Sequence, residues 1–249
     1  MIFKLLAFIL LVSSAACAAD SFSFLAFGDN QGWNTTYKLL LDKAVKEQNV
    51  AFAVHVGDIV PYGKDKDYRD YLKLIAKYPT LKIYHVMGNH DAVNGGWKRF
   101  AKYFGPSYYS FDYENAHFVI LNNAFKESFD EAQVNWLRQD LSSTKKPLKF
   151  VFFHKPVFDA SGLYSGHIMD SRRMSELLVG IFKRYKVDYV VCGHIHGFAS
   201  AERDGIVYII TGGAGGRLYL PPEFGGFYHY VRFDVDGNRV SFSPIHIYD

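Results

Sequence analysis

Five times along this chain a short apolar run breaks off into residues that bind metals or phosphate. The run Phe24–Phe27 ends at Gly28-Asp29-Asn30-Gln31, Ala51–Val56 at Gly57-Asp58, and Leu81–Met87 at Gly88-Asn89-His90-Asp91. Leu148–Phe153 ends at His154-Lys155-Pro156, and Val187–Cys192 at Gly193-His194-Ile195-His196. Runs of this length, rich in β-branched and aromatic residues, read as strands. Asn34-Thr35-Thr36 offers capping chemistry for a helix through about Gln48, and the charged stretch Lys64 to Lys77 reads as a helix closed by Pro79. Strand, helix, strand, helix, strand with short loops predicts parallel units joined by crossover helices. In such sheets the functional crevice lies outside the carboxyl ends of the strands.

The second half is more mixed. Tyr108 to Tyr113 and His117 to Asn122 flank Glu114-Asn115-Ala116 and read as a hairpin. Phe129 to Leu141, with Asp130 as candidate cap, and Asp170 to Tyr185 read as helices. Gly205 to Thr211, Phe227 to Val235 and Arg239 to Ile247 read as short antiparallel-type strands. With 249 residues, 49% of them hydrophobic, and no repeat, low-complexity tract or linker, one domain is the economical reading. Basic and acidic residues nearly cancel, 28 against 25, and no basic block stands out, which argues against a nucleic-acid partner.

The first nineteen residues read differently. Lys4, the apolar run Leu5 to Val12 and the small residues Ser13 to Ala19 form the pattern of a secretory signal, too short to span a bilayer. The expected mature domain is therefore 20–249, exported to a periplasmic or extracellular location. Cys17 leaves open lipoprotein processing, and with it a membrane anchor. Without Cys17 only Cys192 remains, so no disulfide framework is expected. Cys192, within a strand pattern, reads as a small core hydrophobe rather than a thiolate ligand.

If the five strand ends converge, Asp29, Gln31, Asp58, Asn89, His154, His194 and His196 supply carboxylates, amide oxygens and imidazoles at one point. A nitrogen and oxygen donor set without sulfur suits Zn, Mn or Fe. The set exceeds the needs of one ion; two ions about 3.5–4 Å apart and bridged by Asp58 would use it.

These five motifs, in this order, resemble those of the calcineurin-like metallophosphoesterases, and the match spans about Phe24 to Gly197. Val207 to Gly216 is similar to the family's closing strand and glycine turn. The resemblance implies a four-layer αββα sandwich with mixed sheets and a dinuclear centre of divalent or mixed-valence ions. It implies hydrolysis of phosphomonoesters or phosphodiesters by a metal-bound hydroxide. It places Asp29 and His196 on the first metal, and Asn89, His154 and His194 on the second, with Asp58 bridging. His90 takes the role of phosphate contact or general acid.

Two positions depart from the family pattern. Gln31 stands where many members have His, and either ligates through its amide oxygen or bonds a water. Pro61 stands where purple acid phosphatases have Tyr and protein phosphatases have an Asp that supports the catalytic His. Tyr62 is one residue further along, so an Fe(III)–tyrosinate is not expected, and Asp91 becomes the candidate partner of His90. These departures are the only support for the alternative, a non-catalytic metal- or ligand-binding surface protein with a decayed site. His167, in a loop after His154, is a candidate substrate contact. Arg217, after the glycine turn, is a candidate phosphate grip, though a solvated arginine is the simpler reading. His55 and His85 read as satisfied core histidines, and His117, His229 and His246 carry no motif. Trp33, Trp97 and Phe198 flank motif loops; core packing is the simpler role, and stacking on a nucleobase or aryl group the other.

Overall fold

Aromatic side chains decide how the two sheets of this molecule meet. The structure, a computed structural model, describes residues 21–248; the expected signal sequence and Cys17 lie outside the described residues. The first half runs β1 (Ser21–Phe27), α1 (Thr35–Ala44), β2 (Val50–His55), α2 (Asp65–Ile75), β3 (Ile83–His85), α3 (Asn89–Ala92) and α4 (Gly96–Phe104). A hairpin follows, β4 (Tyr109–Tyr113) and β5 (Ala116–Ile120), then α5 (Glu131–Ser143), β6 (Leu148–Phe152), α6 (Arg172–Tyr185) and β7 (Tyr189–Cys192). The chain closes with β8 (Phe198–Arg203), β9 (Ile206–Thr211), β10 (His229–Asp236) and β11 (Arg239–His246).

One sheet has the order β11-β10-β1-β2-β3, the other β4-β5-β6-β7-β9-β8. The parallel pairs are β1 with β2 and β2 with β3, then β5 through β6 and β7 to β9; antiparallel strands close both edges of the second sheet and the β11 edge of the first, whose other edge is the parallel strand β3. Their inner faces share a core that includes Phe24, Phe52 and Phe233 from the first sheet and Phe118, Phe150 and Phe152 from the second. The Phe24 ring stacks on Phe233 at 4.5 Å and meets Phe118 and Phe150 edge-on at 5.3 and 5.2 Å. Offset and edge-on pairs of this kind add to the gain from burial alone.

Helices cover both outer faces. Leu40 and Leu41 of α1, Tyr68 and Tyr71 of α2 and Phe100 of α4 pack on Leu25, Phe27 and Ala53. Leu137 of α5 and Leu178 and Phe182 of α6 pack on Val119, Val151 and Val190. The result is the expected four-layer αββα arrangement in one domain. Asn34, Asp130 and Ser171 accept the N–H groups of Tyr37, Gln133 and Met174, capping α1, α5 and α6.

Several boundaries differ from the sequence reading. Helix α1 stops at Ala44 rather than near Gln48, and the chain turns through Asn49 at a φ of 61° to enter β2. The run at 81–87 forms a strand of three residues only, Ile83–His85, with Val86 N–H still donating to His55 O at 2.8 Å where β2 ends. Strand β9, expected in an antiparallel run, pairs parallel with β7 and antiparallel with β8. Neither β8 nor α4 was anticipated; α4 opens on Gly95-Gly96 with no capping side chain.

His117 does have a structural role. Its Nδ1 lies 2.6 Å from Asp112 Oδ1 and its Nε2 2.8 Å from Asp140 Oδ2, tying the β4–β5 hairpin to α5. Burial opposes charging the ring, but the two carboxylates raise its pKa above the ordinary 6.5. A raised folded-state pKa gives stability that is fully present below the unfolded value and lost as pH rises through the folded one. Urea midpoints of the native chain should therefore fall across that window, and His117→Gln should flatten the slope; parallel curves for the two proteins would contradict the linkage. Phe24→Ala should cost about 3–5 kcal/mol in the same assay, against about 1 kcal/mol for Phe24→Leu.

Candidate metal centre

Three of the five strand ends that carry candidate ligands, those of β1, β2 and β7, leave their strand by an uncommon backbone turn. Asp29, Gln31, Asp58 and His194 all adopt left-handed φ values, between 51° and 70°. Such conformations are sparsely populated outside glycine and persist where surrounding bonds enforce them. Here the enforcing bonds lace the loops together. Asp29 N–H donates to Gly57 O at 3.0 Å, Gln31 N–H to Asp58 O at 2.9 Å and Gly32 N–H to Ile59 O at 2.8 Å. Asn30, buried beside them, bonds His55 Nε2 at 2.6 Å through Oδ1, and its amide donates to Gly32 O and Ile59 O.

The carboxylates are fixed by backbone donors. Asp58 Oδ1 accepts His90 N–H at 2.8 Å, and the Asp29 carboxylate accepts His194 N–H at 3.1 and 3.0 Å. These contacts need glycines as neighbours. A Cβ on Gly88 would sit 2.1 Å from Asp58 N, and one on Gly193 would sit 2.4 Å from Asp29 Oδ2.

The imidazoles are fixed in one tautomer. His154 Nδ1–H donates to Val56 O at 2.9 Å, His196 Nδ1–H to Arg217 O at 2.7 Å, and His90 Nδ1–H to Pro61 O at 2.8 Å. In each ring this leaves Nε2 facing inward, as backbone carbonyls commonly do for metal-binding histidines. His154 itself is seated by Asn123, whose Oδ1 accepts the N–H groups of His154 and Lys155 at 3.1 and 3.0 Å.

The inward atoms converge. His154 Nε2 lies 3.1 Å from Asn89 Oδ1, 3.2 Å from His194 Nδ1 and 3.4 Å from Asp58 Oδ1. His196 Nε2 lies 3.4 Å from Asp29 Oδ1. Two sets of donors form, Asp58 with His154 and His194, and Asp29 with Asp58 and His196, the atoms of each within 4.8 Å of one another. Asp58 belongs to both. Facing lone pairs on nitrogens and oxygens at these distances repel unless a proton or a cation lies between them, and the donor chemistry fits borderline cations such as Zn, Mn or Fe.

Titration follows from the same contacts. Burial opposes charge on Asp58, but the His154 ring and the His90 groups hold its carboxyl well below the usual range. Burial likewise opposes charge on His154, and Asp58 pushes it up to about 9. Burial and the neighbouring His154 push His194 down to about 2.

Six of the seven expected ligands are thus brought together. Gln31 stands at the edge of the group, half-buried, tied in by its backbone. His90 Nε2 lies 3.9 Å from Asp58 Oδ2. Asp91 does not orient His90, a correction to the sequence reading. Its carboxyl is fully buried and accepts Val60 N–H and Gly88 N–H at 3.0 and 2.7 Å, while burial and the adjacent Asp58 raise it to about 8. The Pro61 carbonyl orients His90 instead. The His167 ring lies 5.9 Å from that of His194, and the Arg217 side chain is exposed while its carbonyl holds His196.

Tyr219, missed in the sequence, stacks on His196 with centroids 4.1 Å apart and packs beside His167 at 5.5 Å. Nothing local marks it, since its stacking partner is more than twenty residues away. His55 and His85 are bonded core residues, to Asn30 and Tyr71. Trp33 and Trp97 do not pack in the core; both rings are exposed.

The model of the calcineurin-like phosphoesterase family matches residues 22–198. Purple acid phosphatase 23 of Arabidopsis thaliana is 29% identical over 180 residues, which are 66% of this chain and 37% of that protein. The chain therefore spans little more than a third of that relative's length. Purple acid phosphatase PPD1 from yellow lupin superposes with a TM-score of 0.75 at 15% identity, covering 93% of this chain and 52% of that one. A dimetal phosphatase from Danio rerio superposes with a TM-score of 0.70 at 16% identity, covering 92% and 97%.

The close approach of Gly88 to Asp58 generates a test. Gly88→Ala should weaken Mn or Zn binding by about 10–100-fold, the range for residues that support ligands. Gly180→Ala, where an added Cβ meets nothing within 4 Å, serves as the control. Calorimetric titration reads both, with circular dichroism to confirm folding; equal affinities would remove Gly88 from the account.

Proposed function

Because the chain belongs to the calcineurin-like phosphoesterase family, we propose that it is a hydrolase of phosphate esters acting at a centre of two cations bridged by Asp58. The observation that carries this is the sharing of Asp58 between two otherwise separate donor sets. Asp29 and His196 would hold one cation and Asn89, His154 and His194 the other, with Gln31, tied in through its backbone N–H to Asp58 O, as a weaker candidate oxygen donor. When bound, such a pair polarises the phosphoryl group, lowers the pKa of a water and neutralises the departing oxygen.

The chain's own groups do the rest. His90 faces the pair through Nε2 while Nδ1–H stays on Pro61 O, an arrangement that suits an imidazolium delivering its Nε2 proton to the leaving oxygen. Asp91 acts indirectly, by holding the backbone of Val60 and Gly88 around Asp58 and His90. His167 and the exposed Arg217 take the phosphate oxygens from the side of His194 and His196. Pro61, which in the sequence speaks for a decayed site, supplies through its carbonyl the support His90 needs. A retained and oriented His90 favours an enzyme over a binding protein.

Hydrolysis of p-nitrophenyl phosphate and of its bis ester, after chelation and again with Mn, Zn or Fe restored, tests this reading. Activity should return with metal and disappear in Asp58→Asn. His90→Ala should retain both cations while losing about 10²–10⁴-fold in kcat. A folded chain that binds two cations yet cleaves neither ester would sink the proposal, and the ratio of the two substrates separates monoesterase from diesterase.

A further inference from the structure

Among the described residues the exposed large hydrophobic side chains include Trp33, Tyr62 and Trp97, which stand next to the close backbone approaches of Gly32 to Pro61 and of Gly96 to Gly63, and Pro61 in turn bonds His90. Trp33, Tyr62 and Trp97 are 64%, 58% and 46% exposed, so much of each side chain is open to solvent. Trp33 and Tyr62 lie on loops and Trp97 in the first turn of α4, and these three segments are built onto one another. A Cβ on Gly32, the residue before Trp33, would lie 3.0 Å from Pro61 Cδ. Asn94 Nδ2 donates to Tyr62 O at 3.0 Å, and Arg99 Nη1 donates to Gly63 O and Asn94 O at 3.0 and 2.9 Å. Pro61, between Trp33 and Tyr62 in this stack, is the residue that orients His90.

Keeping three aromatic rings in water forgoes the gain from burying them, and the core already takes many rings of the same kind. Their segments meet at Pro61, whose carbonyl holds His90, and since His90 serves the departing oxygen in the reading above, this ties them to the alcohol side of the ester. Lys64 Nζ sits 5.5 Å from the Tyr62 ring centroid and Lys98 Nζ 5.2 Å from that of Trp97, so the rim is also basic, as an anionic ligand requires. We propose that Trp33, Tyr62 and Trp97 form a stacking subsite for a flat aromatic ring on the alcohol portion of the substrate, so that the preferred esters are nucleoside or arylmethyl phosphates. This inference rests on the phosphoesterase reading above and adds the class of leaving group.

The test compares pairs of esters that differ only in the ring. Adenosine 5′-monophosphate should exceed ribose 5-phosphate in kcat/KM by about tenfold or more, the scale expected for stacking on one aromatic face. Benzyl phosphate should exceed cyclohexylmethyl phosphate, which has similar bulk without a flat ring. Trp33→Ala or Trp97→Ala should bring the first ratio to within about threefold of unity. Equal kcat/KM values within each pair, or ratios unchanged in both variants, would overturn the subsite while leaving the hydrolase intact. If no ester is cleaved, the phosphoesterase reading fails by itself, and binding still decides the subsite. In the Trp136→Phe background only the two rim tryptophans emit. Adenosine should quench them and ribose should not; absence of quenching by adenosine would overturn the inference.

Discussion

A buried carboxylate at the seam between two sheets governs the architecture of this site. Asp58 is almost wholly removed from water, and an ion in that position is costly unless its charge and lone pairs are met. They are met from several directions, by His90 N–H, by the inward nitrogens of His154 and His90, and by the second donor set that shares it. Much of the local sequence serves that contact. The glycine at 88 lets the backbone that carries Asn89 and His90 approach within reach of Asp58. The left-handed turn at Asp58 aims the side chain across the sandwich, and the laced loops at 29–32 and 57–59 keep it there. Asp91 takes its place in the same scheme, as a neutralisable group behind Asp58 and not as a catalytic partner.

Fixing the imidazoles by backbone carbonyls is the complementary device. A histidine free to rotate or to change tautomer offers its lone pair only part of the time, and reorganisation at the moment of reaction is what preorganised sites avoid. His90, His154 and His196 each give Nδ1–H to a carbonyl. The carbonyls come from the ends of other strands and turns, so orientation of the rings depends on the fold being complete. A carbonyl also tolerates nearly any side chain on the residue that bears it, which explains why proline at 61 is compatible with an oriented His90.

That point also separates what the sequence reveals from what it conceals. The candidate ligands were legible because each sits at the end of an apolar run, and strand ends in a parallel sheet share one edge. The parallel units with crossover helices were legible through alternation of apolar runs with stretches such as the one capped by Asn34, whereas the four-layer order followed only from the family resemblance. Partners reached through backbone atoms or distant rings were not. Pro61 O, Asn123 and Tyr219 contact the site through atoms that no local pattern marks. A proximity argument along the chain chose Asp91 for His90, although its carboxyl points to Val60 and Gly88. Trp33 and Trp97 misled in the opposite sense, because a tryptophan near apolar runs is ordinarily core, and only the fold shows these rings left outside.

The donors divide between the sheets in a way that has an energetic consequence. Asp29, Asp58 and Asn89 follow β1, β2 and β3 of one sheet, whereas His154, His194 and His196 follow β6 and β7 of the other. Each donor set therefore draws on both sheets, and His154 Nδ1–H already crosses to Val56 O. Away from this edge, the sheets are held by the oriented aromatic pairs around Phe24 and by polar contacts, Asn115 Nδ2 to Gly237 O at 2.7 Å and Tyr189 O–H to Val240 O at 3.4 Å. Cations bound at the shared carboxylate would reinforce that register, since a shift of an ångström breaks several donor contacts at once. Binding to the folded state alone adds stability by mass action, so docking of the sheets and loading of the site are two sides of one equilibrium. The aromatic core brings the halves together, and cations at the polar edge would add to that hold.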